Sequence, residues 1–439
     1  MTVSSDYFLS EEPSRFGRDE FNALLVYAKK IGASDIHLQS GSRVLMRVHG
    51  DMQPITRRRI DESEMSEICR VLYDGDNGEL ELRTGKPLDN AYSLKLNRDS
   101  SLRFRWNATG CEIRGGFGIK FTLRELPEMP PELPVADLGS AIVDALYPDE
   151  GLILVCGATG SGKSTLLAGT IRNRLEDPDA HENILEASAP IEFVYTKVLQ
   201  HPNCTSTISQ SSVPGHLPSF AAAIPNFLRC DPDRIIIGES RDAATIKAST
   251  LAAQTGHALY STVHANSVPG VFLRLMQSLP SEEVASELGS VIEASRLIIC
   301  QKLYRSPLGG RVAVRESLVL DKDIRKEILV AAARSLAELP NALTGIVKEA
   351  GTPMWRHAES LASQGRLDPV YADLMKAEAG ATNQVARLTY DEILARNQAM
   401  QSYLHRRLAT ADESELQEIQ GLLGSIAEKT RSEVEHAAA

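Results

Sequence analysis

The stretch Gly157-Ala-Thr-Gly-Ser-Gly-Lys163-Ser164 decides the fold of this chain, because it fits the phosphate-binding P-loop pattern GxxxxGK followed by Ser or Thr. It directly follows an apolar run, Gly151-Leu-Ile-Leu-Val-Cys156, which indicates a buried strand or core segment. Glycines let the backbone turn tightly, so that consecutive N–H groups and the amino terminus of the next helix point at one anion. The pattern therefore predicts a strand, a phosphate-binding loop and a helix in succession.

The residue types of this P-loop predict its contacts with a nucleotide. Lys163 should reach the β- and γ-phosphates, and the hydroxyl of Ser164 should be a ligand of Mg²⁺. A P-loop alone does not distinguish a kinase, a GTPase, a transporter ATPase and a ring motor. The predicted nucleotide-binding residues are Gly157, Ala158, Thr159, Gly160, Ser161, Gly162, Lys163, Ser164 and Thr165.

Length and composition limit the class of protein. A chain of 439 residues is too long for one ordinary core, and 43% hydrophobic with 24% charged residues is typical of a soluble globular protein. The net charge of -11 argues against stable nucleic-acid binding driven by electrostatics. No apolar run is long enough to span a membrane, and the beginning of the chain lacks the pattern of a signal peptide. We therefore expect a cytoplasmic protein with only peripheral membrane association.

The cysteines predict reduced, mostly buried thiols. They are scattered without a CxxC pair, which in a cytoplasmic chain argues against disulfides and against a structural zinc site. The six are Cys69, Cys111, Cys156, Cys204, Cys230 and Cys300.

Composition and pattern divide the chain into four parts. Residues 1–124 combine an amphipathic helix with short strands, which indicates a small α+β domain. Residues 125–134 contain four prolines and predict an extended linker. Residues 135–340 alternate strands with helices, which is typical of an α/β domain with a largely parallel sheet. Residues 341–439 show helical patterns.

Local signals support this division. Capping boxes begin at Thr389 and Thr410, each with a glutamate three residues later, and they predict helix starts near the end of the chain. The strand candidates of the α/β domain are residues 152–156, 183–185, 193–199, 234–237 and 258–263.

Three further motifs accompany the P-loop. The apolar run that follows Cys230-Asp-Pro-Asp ends in Gly238-Glu239, where P-loop enzymes keep an acidic residue that serves Mg²⁺ or the attacking water. Downstream, His257 and His264 bracket another strand. Upstream lies Pro190-Ile-Glu192-Phe.

In their order these motifs resemble the secretion-superfamily ATPases, the hexameric motors of type II secretion, type IV pili and type IV secretion or conjugation. The N-terminal part contributes Gly32-Ala-Ser-Asp-Ile-His37 and Arg103-Phe-Arg-Trp-Asn107, which look like family motifs. The resemblance covers roughly residues 20 to 370. It implies an α/β fold with a RecA-like P-loop ATPase domain, a smaller PAS-like α+β domain and C-terminal helices, with ATP and Mg²⁺ as cofactors.

The resemblance also implies residue roles. Glu239 is expected to bind Mg²⁺ together with Ser164 or to position water. His257, grouped with the nucleotide-binding residues, and His264 are expected to sense or couple the nucleotide state. A hydrogen-bonded structural role is an equal alternative for His264, and metal binding by the histidines is not expected, because no carboxylate lies beside them at ligand spacing.

One departure from the family concerns its acidic box. Ser188-Ala189 stands where the family has Glu-Asp before the proline at position 190. The water-polarising role must then pass to Glu186 or Glu192, and we favour Glu186. The alternative for Glu192 is a strand residue held in a salt bridge.

A second departure concerns arginines. Ile224-Pro225 replaces the family's Leu-Arg, which leaves Arg229 and Arg241 as candidates. Ring motors need a cation from a neighbouring part of the assembly, because charge on the transferring phosphoryl group must be neutralised. Arg103, Arg105 and Arg124 resemble the family's candidates, of which we favour Arg124; ordinary strand-edge arginines are the alternative.

Two motifs that mark other branches of the family are missing from this chain. The lack of CxxC argues against the zinc-bearing assembly and export motors, and the signature of the pilus-retraction branch is not found. The altered acidic box looks most like that of the ATPases of type IVB secretion and related conjugation systems, and the resemblance therefore favours this branch. It implies a homohexamer that contacts inner-membrane components of the machine. The alternatives are a pilus-retraction ATPase, a RecA-type nucleic-acid translocase and a scaffold that binds nucleotide without hydrolysis.

Overall fold

The computed structural model describes residues 7–97, 101–113, 115–127 and 129–380, which form two compact units. The first unit combines the chain up to residue 131 with two later segments, 187–204 and 208–218. The second contains residues 132–186, 205–207 and 219–380. The predicted helix starts at Thr389 and Thr410 lie outside the described residues.

The first unit is built on an antiparallel sheet. Its elements are α1 (Arg18–Lys30), β1 (Ala33–Gln39), β2 (Leu45–Val48), β3 (Asp51–Pro54), α2 (Glu62–Tyr73), α3 (Gly78–Arg83), β4 (Leu88–Lys95), β5 (Ser101–Ile113) and β6 (Gly116–Leu126). The strand order is β3-β2-β1-β6-β5-β4, with neighbouring strands antiparallel.

Apolar periodicity explains the packing of the first unit. The amphipathic helix predicted from the sequence is α1, and it buries Phe21, Leu24 and Leu25 on one face. Trp106 and Phe121 are fully buried in the same core, with ring centroids 5.9 Å apart in an edge-to-face arrangement. The apolar face of the sheet is therefore covered by helix side chains.

The remaining elements begin at residue 135. They are α4 (Val135–Leu138), α5 (Ser140–Ala145), β7 (Gly151–Cys156), α6 (Lys163–Leu175), β8 (Asn183–Ser188), α7 (Thr196–Leu199), β9 (Thr207–Ser212), α8 (Phe220–Phe227), β10 (Arg234–Ile237), α9 (Ala243–Gln254), β11 (Ala258–Val263), α10 (Val268–Ser278), α11 (Val284–Ala294), β12 (Ser295–Arg305), β13 (Arg311–Val319), α12 (Lys322–Arg334), α13 (Leu339–Ala350), α14 (Met354–Ser363) and α15 (Pro369–Glu378). The helices from α12 onward include part of the predicted C-terminal helical region.

A seven-stranded sheet has the order β13-β12-β7-β11-β10-β8-β9. Strands β12, β7, β11 and β10 are parallel to their neighbours in this row, and β13 is antiparallel to β12. Every residue of β7, β10 and β11 is buried, as expected for parallel strands covered on both faces. The predicted α/β class is confirmed, with a mixed rather than purely parallel sheet.

One strand prediction was wrong. The structure places no strand over residues 193–199, and α7 occupies the end of that segment. Side chains bind the backbone at the start of this segment and just before it. Gln210 donates to the carbonyl of Phe193 at 2.8 Å, and Arg103 donates to that of Ile191 at 2.8 Å. Side-chain donors thus take the place of a ladder partner for these carbonyls.

The prediction of reduced cysteines was also wrong at one pair. Cys156 and Cys300 form a disulfide between the adjacent strands β7 and β12, where they are register partners and fully buried. The two positions lie 144 residues apart in sequence, so spacing alone could not reveal that they meet. The free cysteines are Cys69, Cys111, Cys204 and Cys230.

A buried ion-pair network lies at the start of β10. Arg234, only 5% exposed, donates to Glu182 from Nε and Nη2 at 2.6 and 2.8 Å. Arg174 also donates to Glu182, and the hydroxyl of Tyr260 accepts from Arg234 at 2.7 Å. Burial alone would raise the pKa of Glu182, but both arginines together lower it.

No helix in the described ranges is long and apolar enough to cross a bilayer.

Candidate nucleotide site

The P-loop connects β7 to α6 and has a backbone that only glycine tolerates at its start. Gly157 has φ of 150°, and a Cβ atom there would lie 2.3 Å from Ser161 Oγ and 2.4 Å from the backbone oxygen of Gln301. At the other end, Gly162 is left-handed with φ of 86° and forms the N-cap of α6. The loop therefore turns sharply at both ends.

Lys163 fills the inside of this loop. Its ammonium group donates to the carbonyls of Gly157 and Ala158 at 2.9 and 3.0 Å, and the residue is only 9% exposed. The amino terminus of α6, which begins at Lys163, adds backbone N–H groups that the helix itself does not pair and the positive end of the helix dipole. The donor set therefore fits a phosphate group.

The other predicted nucleotide-binding residues differ in exposure. Ser161 is buried and its Oγ has no hydrogen-bond partner in the part of the chain that the structure describes. Ser164 is half-buried, and Thr165 is exposed on the first turn of α6. An orphaned hydroxyl and a partly open serine at the loop are compatible with phosphate and Mg²⁺, which usually takes few protein oxygens besides water and phosphate.

A second contact to the loop was not predicted from the sequence. Gln301, on β12, donates from Nε2 to the carbonyl of Ser161 at 2.6 Å. Its Oε1 accepts from Nε of Arg315, the register partner on β13, at 2.8 Å. Strands β12 and β13 were not among the sequence-predicted strands, and a lone glutamine and arginine carry no recognisable motif.

Glu239 follows β10 and faces two basic side chains. Its Oε1 lies 3.6 Å from Nε2 of His264, and its Oε2 lies 3.9 Å from Nη1 of Arg241. These distances exceed those of short hydrogen bonds, so the carboxylate keeps lone pairs for water or a metal ion. The arrangement agrees with the chemistry expected of Glu239.

The turn that carries Glu239 is anchored to β11. Thr262 Oγ1 donates to the carbonyl of Gly238 at 2.6 Å, and the amide of Ser240 donates to the carbonyl of Thr262 at 2.9 Å. The hydroxyls of Ser240 and Ser261 are 2.8 Å apart. Contacts on both sides of Glu239 thus fix its backbone.

Sheet order brings the P-loop, Glu239 and His264 to one edge. Strands β7, β11 and β10 are parallel neighbours, and their carboxyl ends carry these three features. The amide of Gly157 donates to the carbonyl of Val263 at 3.3 Å, directly before His264. The sequence motifs therefore meet at the carboxyl ends of adjacent parallel strands, where ligands bind in open α/β sheets.

His257 requires a correction. It precedes β11, and its carbonyl accepts from the amide of Gly151 at the start of β7 at 3.0 Å. Six residues of strand separate this end from the P-loop, about 20 Å at the usual rise. Within one chain, His257 cannot contact a phosphate held by Lys163, and its grouping with the nucleotide-binding residues was wrong.

The two acidic-box candidates lie in different compact units. Glu186 is on β8 in the second unit, which also contains the P-loop and Glu239. Glu192 is in the first unit, outside any strand, and its carbonyl accepts from Nη1 of Arg103 at 3.2 Å. The Ala189–Pro190 peptide bond between them is cis.

The three candidate arginines of the first unit, Arg103, Arg105 and Arg124, each bind partners within it. Arg103 is buried and binds backbone carbonyls, and Arg105 donates from Nη2 to Asp89 at 2.8 Å. Arg124 donates from Nε to Asp35 at 2.8 Å, although its side chain remains 70% exposed. Burial alone would raise the pKa of Asp35, but hydrogen bonds from Ser34 and Arg124 lower it overall.

Arg229 belongs to the second unit. It follows α8, which carries Pro225 inside the helix, and its side chain is exposed. It is therefore accessible for contacts beyond this chain.

Comparisons with known proteins agree with the motifs. A family model described as "Type II/IV secretion system protein" matches residues 16–342. A sequence relative, the "Type IV pilus retractation ATPase PilT" of Pseudomonas aeruginosa, is 32% identical over 309 residues, which is 70% of this chain and 85% of the relative.

Solved structures are similar over most of the chain. The Legionella pneumophila ATPase DotB has a TM-score of 0.77 and 37% identity, covering 85% of this chain and 99% of that one. The pilus retraction motor PilT, solved with bound ADP, has a TM-score of 0.65 and 27% identity, covering 82% and 97%. The chain belongs to the type II/IV secretion system protein family, and it is a nucleoside triphosphate hydrolase of the secretion ATPase class that its motifs resemble.

Proposed function

We propose that the chain is the homohexameric ATP-hydrolysing motor of a type IV secretion machine, of the type IVB or conjugation kind, recruited to the cytoplasmic side of the inner membrane. The observation that carries this proposal is the similarity to DotB, 37% identical over 99% of that chain. The missing CxxC motif and the altered acidic box before Pro190 support the same branch.

Phosphate binding is proposed to occur by an exchange of the hydrogen-bond partners of Lys163. Lys163 gives up the carbonyls of Gly157 and Ala158 for phosphate oxygens, while the N–H groups at the start of α6 hold the same anion. Ser164 and Glu239 are the residues that would hold Mg²⁺, which supplies neutralisation of phosphate charge when bound. The RecA-like description of this unit rests on the same arrangement.

Glu186 is the proposed group that orients the attacking water. It lies in the same compact unit as Lys163 and Glu239, whereas Glu192 lies in the other. His264, 3.6 Å from Glu239, is proposed to transmit changes at that carboxylate to β11, which immediately precedes it. Glu192 remains the second candidate for orienting the attacking water. Its backbone carbonyl is held by Arg103, one of the candidate arginines.

We propose that the first unit is a PAS-like domain. We also propose that arginines of this unit reach a nucleotide bound in the hexamer. Arg124 is the leading candidate, because its side chain is 70% exposed despite its bond to Asp35. For Arg124 to reach a nucleotide, it must leave Asp35, whose side chain is only 9% exposed. Breaking this pair therefore costs more than the about 0–1 kcal/mol of a fully exposed pair. Arg105, paired with Asp89, and the exposed Arg229 are the other candidates.

The identity of the secretion machine can be tested with a variant that binds ATP but does not hydrolyse it. Full-length Glu239→Gln would be expressed in the native host with an affinity tag, and membrane proteins retained with it would be identified after mild detergent extraction. Glu293→Gln, which changes an exposed glutamate on α11, is the matched control. Enrichment of inner-membrane secretion components over the control supports the proposal.

A second candidate function is pilus retraction, favoured by the 32% identity with PilT over 85% of that protein. Retention of pilus rather than secretion components by Glu239→Gln would replace the first proposal with this one. A RecA-type translocase would instead show ATP hydrolysis stimulated by DNA or RNA with a steep salt dependence. The net charge of -11 argues for a flat response.

A further inference from the structure

We propose that Gln301 and Arg315 are positioning residues for the P-loop: Arg315 fixes the orientation of the Gln301 amide, and this amide holds the Ser161 carbonyl in the geometry that accepts phosphate. The inference rests on the proposed phosphate-binding role of the loop and adds residues outside its motif.

The contacts form a continuous chain through the interior. Gln301 Nε2 donates to Ser161 O at 2.6 Å, and Arg315 Nε donates to Gln301 Oε1 at 2.8 Å. Ser161, Gln301 and Arg315 are 6%, 3% and 7% exposed, so water cannot readily replace either bond. A lost partner here would leave a buried polar group unsatisfied.

Chemistry decides which end of the amide faces the loop. A guanidinium group only donates, so Arg315 must face the amide oxygen of Gln301. The NH₂ group is then directed at Ser161 O, which only accepts. A charged donor at one end also polarises the amide and strengthens the bond at the other. Without Arg315, the buried amide oxygen of Gln301 loses this donor, and the bond to Ser161 O alone orients the amide.

Gln301 lies in direct contact with the backbone of the P-loop. A Cβ atom on Gly162 would lie 2.7 Å from Gln301 Nε2, and one on Gly157 would lie 2.4 Å from Gln301 O. The residue thus contacts both ends of the turn that precedes Lys163. Movement of Gln301 must therefore move the backbone N–H groups that face the phosphate.

Arg315 is held from the other side. Its backbone amide donates to Nδ1 of His357 on α14 at 2.9 Å. Burial, together with the nearby Arg315 charge, lowers the pKa of His357 to about 4, so Nδ1 is an acceptor at neutral pH. The chain of contacts therefore runs from α14 through β13 and β12 to the P-loop.

The environment of Arg315 indicates a role other than a simple ion pair. Its Nη1 is buried and has no hydrogen-bond partner among the residues described, and burial lowers its pKa to about 10. Nearby, Arg366 Nη2 donates to Asp137 Oδ2 at 2.8 Å, so that carboxylate already has a partner. Retaining a costly buried cation is understandable if its bond to Gln301 is needed.

The experiment measures kcat and KM for ATP, and the affinity for a fluorescent ADP analogue, on the full chain. Gln301→Leu removes both bonds, and Gln301→Glu keeps the acceptor for Arg315 while placing an acceptor against Ser161 O. Both should raise KM and weaken ADP binding by about tenfold or more. Arg315→Met should show a smaller effect in the same direction.

The double variant isolates the coupling. If Arg315 acts through Gln301, then Gln301→Leu with Arg315→Met should match Gln301→Leu alone within about twofold. Arg234→Met is the matched control, because this arginine is equally buried in the same sheet but bonds to Glu182. It should lower stability and leave KM unchanged.

Several results would overturn the proposal. They are an unchanged KM in folded Gln301→Leu and Gln301→Glu, effects that multiply in the double variant, or an equal rise of KM in Arg234→Met. Lys163→Ala separates this failure from failure of the proposed function. If Lys163→Ala bound nucleotide like the unaltered protein, the phosphate-binding role of the loop itself would be wrong.

Discussion

Replacing Gly157 with alanine should distort the P-loop, because the added methyl group has no space. Its Cβ would lie 2.3 Å from Ser161 Oγ and 2.4 Å from the backbone oxygen of Gln301. The hydroxyl can rotate away, but the carbonyl belongs to β12, which is bonded on both sides, to β7 and to β13. The loop itself must therefore shift.

Two costs add up in Gly157→Ala. Alanine at φ of 150° is strained by about 1–3 kcal/mol. Forced contact with a fixed backbone atom costs roughly another 1–3 kcal/mol. We expect a loss of about 2–6 kcal/mol in the free energy of unfolding. The affinity for nucleotide should fall at least about 30-fold if some 2 kcal/mol of this distortion must be reversed on binding.

Gly256→Ala is the matched control for this prediction. Gly256 also has positive φ, 94°, but a Cβ there would meet no atom within 4 Å, and the residue lies at the opposite edge of the sheet. Urea unfolding and titration with fluorescent ADP would be compared for both variants. The reasoning fails if Gly157→Ala loses no more stability than Gly256→Ala, or binds ADP like the unaltered protein.

Three further predictions concern catalysis, pH and redox state. Glu239→Gln should bind ATP normally but hydrolyse it at least about 100-fold more slowly, measured as single-turnover phosphate release; unchanged hydrolysis would exclude Glu239 from the chemistry. Because Arg234 helps to lower the pKa of Glu182 below 4.5, the pair stabilises the fold fully above that pH, and stability is lost as pH falls through the lowered pKa. Glu182→Gln should flatten this acid-side decline in urea unfolding, and an unaltered slope would contradict the assignment. Reduction of the Cys156–Cys300 bond, which closes a loop of 144 residues, should lower the free energy of unfolding by about 4–5 kcal/mol; peptide mapping without reductant should recover the linked pair, and recovery of both free thiols would refute it.

Local motifs predicted the carboxyl edge of the sheet well. The P-loop, Glu239 and His264 each follow an apolar run, and parallel neighbours necessarily bring such ends together. The same reasoning could not treat His257 correctly, because a motif that brackets a strand contributes residues to both of its ends. Only the direction of β11 assigns each histidine to its edge.

Long-range partners escaped prediction. Gln301 and Arg315 meet because β12 and β13 pair, and neither strand was recognised in the sequence. Cys156 and Cys300 meet for the same reason across β7 and β12. At residues 193–199, apolar spacing suggested a strand, but donors from Arg103 and Gln210 bind the neighbouring backbone carbonyls instead. Such contacts depend on tertiary structure that periodicity does not contain.

The discontinuity of the first unit has a consequence for biosynthesis. Its carbonyl acceptors for Arg103, at Ile191 and Glu192, are translated nearly ninety residues after that arginine. At a usual elongation rate of about 5–20 residues per second, the ribosome must work for several more seconds before this unit can be completed. A fragment ending at residue 131 would leave the buried Arg103 guanidinium without these acceptors. Nascent chains arrested before and after residue 218 should therefore differ in protease resistance within the first 131 residues.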